Sequence, residues 1–169
     1  MMLELVKPTA EMEKMILEFI SEFKQHNEHT INGCCGLTRY ENYSDWLSYI
    51  ENVEKGLIVD RIPSSTLVAV DKEKSVIGII DIRHYLNDEH FYSGHIGYSV
   101  RPDKRNKGYG EEILRLGLEK SKELNIDKLL LTCKTDNISS QRIIERNNGI
   151  LEKEIVDDGE SYLVYWIKN

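Results

Sequence analysis

Apolar positions follow two different periods along this chain, and the changes between them mark its elements. Leu3-Glu4-Leu5-Val6 alternates and predicts a first strand. Met12, Met15, Ile16, Phe19, Ile20 and Phe23 recur at three- and four-residue intervals, which predicts a helix; Thr9 is placed to cap it, with Glu11 and Glu13 in its first turn. Residues 26–39 are polar and contain glycine, so they read as loop. Tyr43, Trp46, Leu47 and Ile50 predict a second amphipathic helix over residues 42–53. Residues 65–71 and 76–85 are strand-like runs joined by the charged turn Lys72-Glu73-Lys74, a hairpin pattern. Residues 94–100 predict a strand, and 110–124 a helix with Ile113, Leu114, Gly117, Leu118 and Leu124 on one side. Residues 128–133 are continuously apolar, as in a buried central strand. Residues 137–146 read as a helix ended by Asn147-Asn148-Gly149. Residues 150–156 and 161–168 read as strands around Asp157-Asp158-Gly159, a strong hairpin signal.

The predicted order is β-α-α-β-β-β-α-β-α-β-β. The central strand–helix–strand unit implies a right-handed crossover and a parallel pair, while the ends are antiparallel. The expectation is a mixed sheet with helices packed on it, in a single domain over residues 1–169.

Composition narrows the function. The 169 residues are 40% apolar and 30% charged, ordinary for a globular protein that needs neither disulfide nor metal to fold. No apolar run approaches a membrane span, and the N-terminus lacks the pattern of a signal peptide. Cys34, Cys35 and Cys133 give no disulfide framework and read as free thiols. Together these predict a cytoplasmic protein. The net charge of −7 argues against nucleic acid and anionic membranes as partners, and is compatible with a cationic substrate. No metal-ligand spacing and no Ser/His/Asp arrangement is present.

The segment that carries chemistry runs from Gly97 to Gly110. Arg101, Lys104, Arg105 and Lys107 oppose only Asp103, a local charge of +3 between a predicted strand and a predicted helix. A helix start offers free N–H groups and a partial positive charge, and Gly108 and Gly110 lack a Cβ, so a phosphate can approach closely. A diphosphate is the expected guest. Glu111 and Glu112 suit the helix dipole but repel phosphate unless they point away. The dinucleotide fingerprint fails because Ile113 stands at its third glycine, and the phosphate-loop pattern fails because Tyr109 follows Gly108.

Arg105-x-x-Gly108-x-Gly110 resembles the acyl-CoA pyrophosphate loop of the GNAT N-acetyltransferase superfamily. Leu129-Leu130-Leu131-Thr132-Cys133 resembles its next core strand, Asn137-Ile138-Ser139-Ser140 its Asn-x-x-Ser helix start, and Glu145-Arg146-Asn147-Asn148-Gly149 a stretch that follows, as in a bacterial subgroup. The resemblance is close from Gly94 to about Ile155. It implies an α/β (α+β) fold: a mixed, mostly antiparallel twisted sheet of about seven strands with a central parallel pair and helices on both faces. Residues 1–60 would form the acceptor side, 65–133 the central sheet and pyrophosphate loop, and 137–169 the last helix and hairpin.

The resemblance also implies the chemistry: acetyl-CoA as cosubstrate, no metal, and direct transfer of its acetyl group to a primary amine of a small molecule or peptide. Ser99 and Val100 would pair their backbone with the pantetheine arm, with the N–H of Val100 polarising the thioester carbonyl. Arg105, Asn106, Lys107, Gly108, Tyr109 and Gly110 would cradle the pyrophosphate. Asn137 would bond the pantetheine and Ser140 would sit near CoA, although Asn137 is also a good N-cap. The family often places a Tyr acid seven residues after the Asn; here that residue is Ile144. The candidate acids are then Tyr98, Tyr109, Cys133 and Tyr162. The candidate bases are His95 first, then His84 and His90, with His26 and His29 read as surface residues. Alternation puts His95 and Ser99 on one face of the strand and Tyr98 on the other, so only one set is expected at the cleft. Tyr43, Trp46 and the Cys34–Cys35 loop would shape the acceptor side or simply pack the core. A homodimer is a family-level expectation, with Tyr162, Tyr165 and Trp166 on a hairpin that could pair. The alternative to an enzyme is an acyl-CoA-binding sensor.

Overall fold

The computed structural model describes residues 2–169, without the side chains of Glu89 and His90. The candidate base His90 therefore lies outside the described residues. Among the described residues, seven strands and four α-helices follow the expected order: β1 Glu4–Val6, α1 Glu13–Gln25, α2 Tyr43–Glu54, β2 Ser64–Val70, β3 Val76–Arg83, β4 Ile96–Val100, α3 Tyr109–Glu123, β5 Lys128–Lys134, α4 Ile138–Arg146, β6 Ile150–Asp157 and β7 Glu160–Lys168. Thr9 does not cap through its side chain. Its carbonyl instead accepts from the Met12 N–H at 3.1 Å and the Tyr43 hydroxyl at 2.9 Å. The last hairpin turns on Asp158 and Gly159, both left-handed, the two-residue turn that matches strand twist.

Strands β1-β2-β3-β4 form one antiparallel sheet, and β5-β7-β6 form another. The buried faces explain the pattern. In β2, Leu67 and Ala69 meet α3 through a core that includes Ile80, Ile82, Ile113, Leu114 and Leu129. Val68 and Val70 point the other way, against Ile16, Phe19, Phe23 and Trp46 of α1 and α2. Helices thus cover both faces of the four-stranded sheet.

The expected parallel pair is not a ladder: β4 and β5 belong to separate sheets. His95 supplies the reason. Its backbone N–H donates to the Leu130 carbonyl at 2.7 Å, and its ring Nδ1 accepts from the Leu130 N–H at 3.0 Å. One residue thus satisfies both outward groups of Leu130, which a continuing partner strand would otherwise bond. Past this point the strands part, and a cleft opens along the edge of β4.

Burial lowers the pKa of His95 below the usual imidazole range, and that of half-buried His84 likewise. A histidine depressed in the fold stabilises it fully above the ordinary value of about 6.5, and this contribution is lost as pH falls through the folded value. Urea unfolding between pH 7.5 and 5 is therefore expected to show stability falling with acidification. In His95→Gln, whose amide oxygen still accepts from Leu130, the pH dependence should be shallower and retain the His84 share. An identical slope would remove His95 as its source.

On the C-terminal hairpin β6 is exposed along nearly its whole length, whereas the aromatics of β7 are partly covered. Tyr165 is buried in the core, and Trp166 donates to Glu152 at 2.8 Å beneath the ammonium of Lys128. Among the described residues, no helix is long and apolar enough to cross a membrane.

Candidate functional site

A cleft of about 580 Å³ lies between β4, the start of α3, α4 and the loop after α1. Its floor is the free edge of β4. Arg101 donates its N–H to the Ile77 carbonyl and His95 accepts from the Arg83 N–H, so odd-numbered residues of β4 bond to β3. Gly97 and Ser99 follow that parity. Tyr98 and Val100 therefore turn their backbone groups to the open edge. Of the two residues expected to offer their backbone to a ligand, Val100 does so on the open edge, while Ser99 shares the parity that is bonded to β3. Both Tyr98 and Ser99 line the cleft, because it opens along an edge and is reached from either face of the strand.

The far end is the start of α3. Asn106 (φ 60°) and Gly108 (φ 81°) are left-handed, which folds the loop tightly onto the helix. Gly108 is the N-cap and no side chain caps the helix, leaving first-turn N–H groups for another partner. Arg105, Asn106, Gly108, Tyr109 and Gly110 line the cleft. Lys107 does not; its ammonium donates to the Asp103 carbonyl at 3.0 Å. Gly110 serves packing: a Cβ there would lie 2.7 Å from Ile143 Cδ1 and 3.4 Å from Val100 Cγ2. The absent side chain lets α3 close onto α4 and β4.

The local +3 is largely neutralised. Arg101 pairs with Glu22 (3.4 Å) and Asp103 (3.0 Å), Lys104 with Asp103 (3.7 Å), and Arg105 with Glu28 (2.6 Å). The two glutamates that threatened an anion are also held: Glu111 by Arg146 at 3.0 Å and Glu112 by Arg115 at 2.8 Å.

From α4, Asn137 acts as N-cap, its Oδ1 accepting from the Ser140 N–H at 3.1 Å. Its side-chain amide N–H groups have no partner among the described residues. The buried Tyr98 hydroxyl makes no formed hydrogen bond, although the Ser140 hydroxyl is near enough to favour its ionised form slightly. Burial outweighs this and pushes the phenol up to about 12, so it stays protonated at neutral pH.

The other candidates fall elsewhere. His95 is buried at the sheet split and does not line the cleft; His84 bonds Ser65 at 3.0 Å, and Ser65 donates to Glu54 at 2.9 Å. Cys133 is buried, its thiol pushed up to about 11 by desolvation, and Tyr162 pairs with Glu160 at 3.1 Å. Tyr43 and Trp46 pack the core, and the Trp46 indole holds the Cys34 carbonyl at 3.0 Å. That loop is pressed on β4: a Cβ on Gly33 would lie 2.2 Å from the Gly97 carbonyl oxygen. Cleft residues not foreseen are Phe23, Glu28, Thr30 and Asn32 from α1 and its loop, and Arg142 and Arg146 from α4. Arg142 has no ion-pair partner among the described residues.

Ile144 is buried against Gly149, whose absent Cβ would lie 2.3 Å from Ile144 Cγ2. Ile144→Tyr is therefore expected to overpack the core and cost about 1–2 kcal/mol in urea unfolding. Undiminished stability would show that the side chain has a route out of the core.

A family model described as an acetyltransferase (GNAT) domain matches residues 38–149. The uncharacterized N-acetyltransferase YnaD of Bacillus subtilis is 32% identical over 120 residues, which is 68% of this chain and 66% of that protein. Among solved structures, the ribosomal-protein-S5-alanine acetyltransferase of Vibrio fischeri superposes with a TM-score of 0.69 at 16% identity, covering 99% of this chain and 92% of that one. The yncA protein of Salmonella typhimurium, solved with its cofactor acetyl-CoA, gives 0.66 at 14% identity over 98% and 93%. The structural likenesses speak to the fold.

Proposed function

The chain belongs to the GNAT acetyltransferase family, and on that premise we propose that it transfers the acetyl group of acetyl-CoA directly to a primary amine of a small molecule or peptide. The observation that carries this reading is the uncapped start of α3, with left-handed Gly108, facing a cleft that also holds the free edge of β4 and the unclaimed groups of Asn137 and Tyr98.

The residues fit such a donor in parts. First-turn N–H groups of α3 receive the pyrophosphate, with Arg105 and unpaired Arg142 as the nearby cations. Tyr98 and Val100 present backbone donors and acceptors along an extended path suited to a pantetheine arm, as one strand adds to another. An N–H on that edge polarises the thioester carbonyl as negative charge develops on its oxygen. Asn137 offers its side-chain N–H groups to the same arm. The neutral amine attacks from the side of Thr30 and Asn32, its nitrogen bonding to the acetyl carbon as the carbon–sulfur bond breaks, and the proton it sheds passes to solvent in the open cleft. Tyr98, protonated at neutral pH and reaching toward α4, takes the acid role that Ile144 cannot fill.

A thermal-shift titration tests the donor: CoA should stabilise the protein in proportion to its binding, and ATP should not. Stabilisation by ATP alone would point to a different nucleotide site. Thiol release from acetyl-CoA across an amine panel tests the transfer; tight CoA binding with no turnover on any amine would favour a sensor.

A further inference from the structure

This inference rests on the donor reading above and concerns the acceptor wall of the same cleft. Arg105 stands in the donor's loop, yet its guanidinium is already engaged. Nη1 and Nη2 donate to the two carboxylate oxygens of Glu28 at 2.6 and 2.8 Å, and Nε donates to the Val100 carbonyl at 3.2 Å. The Phe23 ring lies beneath, 5.5 Å from the guanidinium carbon. Glu28 comes from the loop after α1, 77 positions away, so the pair ties the two walls of the cleft together.

Two facts make this pair exchangeable. Both side chains are partly exposed, at 40% and 36%, and such pairs contribute only about 0.2–1 kcal/mol. A pyrophosphate is also a stronger partner for a guanidinium than a single carboxylate. When Arg105 turns to the donor, Glu28 loses its bidentate partner and keeps only the weaker through-space attraction of His26. The other carboxylate lining the cleft, Glu111, is held by Arg146 on the α4 side. Glu28 also lines a second hollow of about 240 Å³, with Ile20, Lys24, His29 and Ile31, and so borders both spaces.

We propose that Glu28 recognises a second, positively charged group of the acceptor, away from the neutral amine that attacks, and that Arg105 masks it until the donor draws the guanidinium away. The donor-free protein then binds a cationic amine poorly, and the donor-loaded protein binds it well. By linkage the amine strengthens donor binding by the same factor.

The test uses CoA as donor probe and 1,4-diaminobutane as acceptor probe. In calorimetry, Glu28→Gln should bind CoA up to about fivefold more tightly than wild type, because a competitor for Arg105 has gone. In wild type, the carboxyl resonance of Glu28, assigned by its loss in the variant, should titrate at higher pH once CoA is added. The diamine should bind CoA-loaded wild type at least about fivefold more tightly than CoA-free protein, and Glu28→Gln should lose that difference. Unchanged or weaker CoA binding by Glu28→Gln, with an unmoved resonance, makes Glu28 a strut between the walls and overturns the proposal. A shifted resonance without conditional diamine binding overturns the acceptor role. If wild type itself fails to bind CoA, the donor reading falls, and this inference with it.

Discussion

Gly108→Glu is expected to raise the Kd for CoA by about a hundredfold or more, near 3 kcal/mol, while the protein remains folded. Two effects combine. The carboxylate would stand at the helix start where the donor's pyrophosphate is proposed to sit, replacing a favourable dipole with like-charge repulsion. Gly108 is also left-handed (φ 81°), a conformation that costs a side chain about 1–2 kcal/mol. Only the second effect acts on the free protein, so Gly108→Ala serves as the control. Both variants should lose a similar amount of stability in urea, and only the glutamate should lose CoA binding outright. Calorimetric titration of both reads this directly. Equal, small losses of affinity would mean that the anion does not sit at the start of α3.

Tyr98→Phe is expected to lower kcat about a hundredfold while the Kd for CoA changes by no more than a few fold, the range for removal of a positioned proton donor. The hydroxyl is buried without a formed hydrogen bond and held near 12 by desolvation, so its loss leaves no structural partner stranded. A stability change in urea within about 0.5 kcal/mol would accompany a role in chemistry. An unchanged kcat would show that the leaving thiolate needs no protein acid, consistent with Ile144 at the family's usual position.

Much of this architecture was legible because each element carried its own period. The all-buried β2, the β3 buried up to Arg83, the stripe of α3 and the Asp158-Gly159 turn are local signals that the tertiary structure did not override. The loop proposed to hold the pyrophosphate was legible for the same reason: a strand, two glycines and a helix start are contiguous in sequence. What was lost depends on long-range geometry. The sheet splits because a histidine side chain bonds Leu130 from 35 positions away, which no period records. Arg105 and Lys107 look alike in sequence, but Asn106 and Gly108 turn the chain so that only Arg105 faces the cleft. Glu28, Thr30 and Asn32 sit in an aperiodic polar loop with no signal to separate them from solvent-facing residues. Arg142 was more accessible to reasoning: Ser139, Arg142, Ile143 and Arg146 fall on one helical stripe beside the Asn137 cap, and all four line the cleft.

The most direct test of the account is calorimetric titration of CoA into the wild-type protein, followed on the same preparation by thiol release from acetyl-CoA over an amine panel. The account predicts one CoA per chain and amine-dependent thiol release, with Gly108→Glu lacking both. No CoA binding, or binding unaffected by Gly108→Glu, would contradict it.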